Sequence, residues 1–148
     1  MREMRDALTP VMTENELWSV LHQVNIARNG EWLETRCLAS GPRTNPWLQE
    51  CSDRRIQAGE LVAFDTDLIG PWGYMADISR TYHSGGAVPT SEQRRLYALA
   101  LEQLHHDISL LSPGRSFTEY AEHAWKIPNE FAANRYGCIA HGVGMCDE

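Results

Sequence analysis

Apolar side chains recur at helical spacing in two long stretches, and each stretch begins at a capping signal. Thr13 with Glu16 three positions later forms a capping box, a hydroxyl N-cap answered by an acidic side chain. Leu17, Val20, Leu21, Val24 and Ala27 follow at the intervals of one helix face, which predicts a helix to about Arg28, ended by Asn29-Gly30. Thr90 with Gln93, preceded by Pro89, opens the second. Tyr97, Leu101, Leu104, Ile108 and Leu111 make its stripe, and Ser112-Pro113-Gly114 stops it. A third box, Ser116 with Glu119, starts a shorter helix toward Trp125 before Pro128 interrupts. Residues 1–12 carry no clear pattern and are left unassigned.

Between the first two helices the pattern changes. Leu61-Val62-Ala63-Phe64 is a short apolar run, and the stretch from Tyr74 to Tyr82 is rich in aromatic and β-branched residues. Gly70-Pro71-Trp72-Gly73 between them reads as a turn, so the segment is a β-hairpin. Shorter strands are expected around Cys37–Ser40 and at Cys138–Ala140. Helices before and after a mostly antiparallel sheet give an α+β fold.

Composition narrows the function classes. With 148 residues, 43% apolar and 22% charged, the chain is the size of one domain or part of a larger one and apolar enough to pack a core, which excludes disorder. The net charge is −7, Lys126 is the sole lysine, and there is no basic run; nucleic acid and anionic membrane surfaces are therefore not expected partners. The four cysteines, Cys37, Cys51, Cys138 and Cys146, form no C-x-x-C pair, and no secretory signal or long apolar segment is present. Free thiols in a cytoplasmic protein are the simplest account.

The candidate chemistry lies in the hairpin. Asp65 and Asp67 are two apart on the first strand, so their side chains share a face, and Asp77 on the partner strand falls near the position opposite. Phe64, Leu68, Ile69, Met75, Ala76 and Ile78 flank them, which suggests burial. Carboxylates gathered in such surroundings repel each other and lose hydration, and a divalent metal or a pair of them is the usual remedy. The competing reading is that the aspartates cap turns or face solvent. Arg80, three residues after Asp77, either steadies a carboxylate by a bidentate contact or stands at the surface. His141, in His141-Gly142-Val143-Gly144, offers an imidazole ligand, although a solitary histidine is more often structural. His22, His83, His105, His106 and His123 belong to no evident constellation.

The run from Phe64 to Thr81 resembles the hairpin of the creatinase/prolidase/methionine aminopeptidase family, with its metal Asp, Gly-Tyr pair, second metal Asp and Arg-Thr. His141-Gly142-Val143-Gly144 is similar to the family segment that supplies the histidine ligand, 64 residues after Asp77. The resemblance covers Thr13 to Glu148. It implies a partial pita-bread catalytic domain over 13–148 that lacks the last strands and their two glutamate ligands. It further implies a site for two divalent ions (Fe, Mn, Co or Zn) with Asp65 or Asp67 as the first ligand, Asp77 the bridging one and His141 the third. Dimerisation of a full-length parent is compatible with it.

Two features set the chain apart from the peptidases of that family. Asp65 and Asp77 are 12 apart, one more than usual there, with Asp67 an extra carboxylate; and Met145-Cys146-Asp147-Glu148 replaces the usual His-Glu continuation. Both are similar to the dimethylsulfoniopropionate (DMSP) lyases built on this fold. That resemblance implies Asp147 as the base and Tyr136 facing the substrate, with C–S cleavage to dimethyl sulfide and acrylate. Tyr136, Trp72 and Tyr74 are candidates to line the substrate pocket and receive the sulfonium by cation–π contact, with core packing the competing role for at least two of the three. The alternatives are an Xaa-Pro aminopeptidase or dipeptidase acting on short peptides, and a truncated, non-catalytic binding domain.

Overall fold

In the computed structural model, which describes residues 1–146, each of the three capping boxes starts a helix. Thr13, Thr90 and Ser116 each accept from the backbone N–H three residues on, while Glu16, Gln93 and Glu119 reach back to the cap. The helices are α2 (Glu14–Ala27), α3 (Ser91–Leu110) and α4 (Phe117–His123). A further helix, α1 (Arg2–Ala7), forms where the sequence showed no pattern, and its Met4 is 1% exposed in the core. One buried side chain on a two-turn helix leaves too little periodicity to read.

The strands are short: β1 (Trp32–Leu33), β2 (Leu38–Ser40), β3 (Leu61–Phe64), β4 (Leu68–Ile69), β5 (Met75–Ala76) and β6 (Arg80–His83). They make two antiparallel three-stranded sheets, ordered β1-β4-β5 and β2-β3-β6. The expected hairpin is therefore split between both sheets. Its register nonetheless runs through unbroken: Phe64 pairs with Arg80 below the break and Leu68 with Ala76 above it. Continuing that register sets Asp65 opposite Ser79, Thr66 opposite Ile78 and Asp67 opposite Asp77.

The chain forms two compact units, Met1–Val88 with the segment from His141 onward, and Pro89–Ala140. In the first, α2 turns Leu17, Trp18 and Leu21 onto Leu33, Leu38, Ile56, Val62 and Phe64. Each such fully buried side chain stabilises the fold by roughly 1.5–3 kcal/mol. The buried face of α2 is Glu14, Leu17, Trp18, Leu21 and Asn25, rotated from the expected stripe, with Val20 and Val24 only half-buried and Ala27 exposed.

In the second unit the expected α3 stripe is also overturned. Tyr97, Leu101, Leu104, Ile108 and Leu111 are exposed, whereas Leu96, Leu99, Gln103 and Leu110 are half-buried and Asp107 is buried. α3 is apolar on two faces, and the more buried one carries Asp107, which accepts from the backbone N–H of Trp125 at 2.8 Å. The strand expected at Cys138–Ala140 does not form; that stretch is exposed and irregular, with no partner strand to take its backbone groups among the described residues.

Candidate metal centre

The three hairpin carboxylates converge where the chain passes from one sheet to the other. Asp65, Asp67 and Asp77 are each half-buried, and an oxygen from each lies within 4.8 Å of the others. The expected mechanism, two aspartates alternating on one regular strand, is not how they meet. β3 ends at Phe64, residues 65–67 are irregular, and Asp67 has a positive φ of 28°. The hairpin register sets Asp67 opposite Asp77, and the irregular stretch 65–67 carries Asp65 and Asp67 to it.

A set of hydroxyl and backbone bonds holds this stretch. The Asp65 N–H donates to the Cys37 carbonyl at 2.9 Å, and Ser79 Oγ donates to Asp65 Oδ1 at 2.8 Å. Thr66, 1% exposed, crosses the hairpin: its hydroxyl accepts from the Ile78 N–H at 3.1 Å and donates to the Ala76 carbonyl at 3.2 Å. From the segment after β1, the Glu34 N–H donates to the Asp67 carbonyl at 3.0 Å and Thr35 Oγ1 to Asp67 Oδ2 at 2.6 Å. None of these hydroxyls was singled out in the sequence. Thr35 has no local signal, but Ser79 and Thr66 could have been found by extending the hairpin register. Burial raises the Cys37 thiol above its ordinary range, opposed by the Thr35 hydroxyl and reinforced by Asp67 and Asp65, so it stays protonated beside the carboxylates.

His141 reaches one member of the cluster, Asp77. The Met75 N–H donates to the Gly144 carbonyl at 2.6 Å, which ties the segment after His141 to β5. His141 Nε2 lies 3.0 Å from Asp77 Oδ2, and Nδ1 lies 2.9 Å from the Gly142 carbonyl. A carbonyl only accepts, so Nδ1 is the donor in that contact, and Nε2 faces the Asp77 carboxylate.

The other named residues are placed differently. Arg80 is exposed and its guanidinium donates to the Ser79 carbonyl at 2.7 Å rather than to a carboxylate. Trp72, at φ 67°, and Tyr74 expose their rings at the hairpin tip. Tyr136 is exposed in the second unit, and Asp147 lies outside the described residues.

The full chain, residues 1–148, matches the sequence model of metallopeptidase family M24. The chain belongs to that family. It is 48% identical over 136 residues to the dimethylsulfoniopropionate lyase DddP of Roseovarius nubinhibens, covering 92% of this chain and 30% of that protein. It is 32% identical over 110 residues to an Xaa-Pro dipeptidase of Pyrococcus furiosus, covering 73% and 31%. Among solved structures, the prolidase of P. furiosus superposes with a TM-score of 0.79 at 26% identity, covering 97% of this chain and 43% of that one. Aminopeptidase P of Escherichia coli, in a complex with substrate, gives 0.71 at 26%, covering 80% and 27%. The chain thus spans about a third of the curated relatives it matches.

The M24 chain carries part of the α+β pita-bread fold, antiparallel sheets flanked by helices, and its family uses divalent metals. The residues fit such an ion. Carboxylate oxygens this close repel at several kcal/mol in a half-buried site unless a cation lies among them. Hard oxygen donors with one imidazole suit Mn, Fe, Co or Zn alike.

Proposed function

We propose that the protein is a metal-dependent lyase that cleaves DMSP to dimethyl sulfide and acrylate. The observation that carries this reading is the 48% identity to a DMSP lyase across 92% of the chain, against 32% to an Xaa-Pro dipeptidase over 73%. The third carboxylate, Asp67, within 4.8 Å of Asp65 and Asp77 supports it.

In this reading Asp65, Asp67, Asp77 and His141 hold two divalent ions, completed by the two glutamates that the family resemblance implies. Bound metal supplies positive charge that anchors the substrate carboxylate and acidifies the C–H beside it. Asp147 takes that proton. The electron pair of the broken C–H bond becomes the C=C bond of acrylate, and the pair of the C–S bond leaves on sulfur as neutral dimethyl sulfide. The exposed rings of Trp72 and Tyr74 offer faces to the sulfonium cation, and the resemblance gives Tyr136 a substrate-facing role. Arg80 stands outside this set, since it donates to a backbone carbonyl.

A second reading, an Xaa-Pro dipeptidase, is favoured by the dipeptidase relative and the prolidase superposition. Metal content and product analysis of the full-length protein separate the two. The lyase reading expects dimethyl sulfide and acrylate from DMSP, Asp77→Asn without metal, and Asp147→Ala with metal but release about 10²–10⁴-fold slower. Free amino acid from Xaa-Pro substrates, with no dimethyl sulfide, replaces it with the peptidase. A full-length protein that takes up no metal would leave only a non-catalytic domain.

A further inference from the structure

Asp67 is the candidate ligand that most needs holding. Its φ of 28° is a conformation that L side chains rarely adopt, and its carboxylate faces two others within 4.8 Å. Without a cation, mutual repulsion favours rotation of that carboxylate away from Asp65 and Asp77.

Two bonds from a segment 32 residues upstream oppose this. The Glu34 N–H fixes the Asp67 backbone carbonyl at 3.0 Å, and Thr35 Oγ1 donates to Asp67 Oδ2 at 2.6 Å. The second distance is in the range of an O–H bond to a charged acceptor, roughly 2.5–2.7 Å. Thr35 is itself held, because it lies two residues beyond the end of β1. Trp32 and Leu33 of β1 pair with Ile69 and Leu68 of β4, and Asn25 of α2 donates to the Trp32 and Ile69 carbonyls at 2.9 and 3.3 Å.

We propose that Thr35 is a positioning residue for metal binding, whose hydroxyl fixes the rotation of the Asp67 carboxylate so that it stays gathered with Asp65 and Asp77. A hydroxyl is well matched to this role, because it donates one directed bond yet brings no positive charge to compete with the ion. An arginine or lysine at the same place would neutralise the carboxylate and weaken its hold on a cation. The proposal rests on the metal-binding reading of the site and extends it to a residue outside the hairpin.

The test is calorimetric titration of the metal-stripped full-length protein with Co(II), alongside the visible absorption of bound Co(II), which reports coordination independently of turnover. Thr35→Val keeps the shape and removes the donor; Thr35→Ser keeps the donor. The expected result is that Thr35→Val binds Co(II) about 10–100-fold more weakly, with an altered visible spectrum, whereas Thr35→Ser restores both. Far-UV circular dichroism checks the fold, and Thr35→Ala is read instead if Thr35→Val does not fold. Wild-type affinity in Thr35→Val overturns the proposal, as does Thr35→Ser binding as weakly as Thr35→Val, since packing alone would then explain the loss. If the wild type takes up no Co(II), the metal reading itself fails and this proposal with it.

Discussion

Glu14 has no exposed surface, an unusual place for a carboxylate in the first turn of a helix. Its solvation is replaced bond by bond. Oε1 accepts from the Ser40 N–H at 2.8 Å and the Ser40 hydroxyl at 2.7 Å; Oε2 accepts from the Ser52 N–H at 3.1 Å, the Ser52 hydroxyl at 2.7 Å and the Arg43 guanidinium. These partners join α2 to the end of β2 and to the loop before β3. Removing the carboxylate strands two backbone donors and the Arg43 charge, which keeps 31% of its side-chain surface and so partly recovers hydration. Glu14→Ala is therefore expected to destabilise by about 3 kcal/mol, the low end for a broken buried pair, measured by urea unfolding. A loss within 0.5 kcal/mol, the range of ordinary surface substitutions, would show that this network contributes little. In the sequence Glu14 looks like any acidic residue near a helix N-terminus, where exposed carboxylates are common. Only the two serines, 26 and 38 residues away, show that it is interior.

At the scale of elements, α2 is tied to the β1-β4-β5 sheet, whose strand β4 begins one residue after Asp67. Asn25, on the last turn of α2, bonds carbonyls of both β1 and β4, and Gly30 passes directly over it. A Cβ on Gly30 would sit 1.8 Å from Asn25 Oδ1 and 2.3 Å from its Cγ, so any side chain there displaces Asn25 and its two bonds. Gly30→Ala is expected to cost about 1–3 kcal/mol by overpacking, and the Gly30→Ala/Asn25→Ala pair should cost less than the sum of the singles. Strict additivity in a double-mutant cycle would argue against this contact. Asn29-Gly30 was readable as a helix stop, and the stop is real, because α2 ends at Ala27 with Arg28 as its C-cap. The packing role of Gly30 was not readable, because it depends on where Asn25 points.

The pH dependence of unfolding belongs to the whole molecule, since it reflects proton uptake on opening the entire first unit. Arg54 bonds Glu60 through both oxygens, at 2.8 and 2.5 Å, and also reaches the Ser40 hydroxyl at 2.6 Å, so it adjoins the Glu14 network. The Arg54 bond holds the Glu60 carboxyl below its ordinary value of 4.5, against desolvation and with help from the Gln57 N–H. A folded pKa below the unfolded one means that the unfolded chain binds more protons, so stability rises with pH there. The Glu60 contribution is complete above 4.5 and is lost as pH falls through the depressed folded value. Glu60→Gln should flatten the fall of the melting temperature on acidification; an unchanged slope in that variant would sink the assignment.

Local signals determined the helix starts, because a capping box is completed within one turn and needs no distant partner. The hairpin and its three aspartates were legible for a similar reason: turn residues and an apolar run specify the pairing, and the pairing sets Asp67 opposite Asp77. So was the approximate α+β class. Tertiary structure decided the rest. It selected which face of α2 and of α3 is buried, since each helix offers more apolar positions than one contact can cover. It broke the strand between two sheets, so that Asp65 and Asp67 stand on an irregular stretch rather than on a regular strand. It also carried Thr35 to Asp67 and His141 to Asp77 across 32 and 64 residues. Such contacts depend on register and on backbone bonds between separate segments, and no window of neighbouring residues contains them.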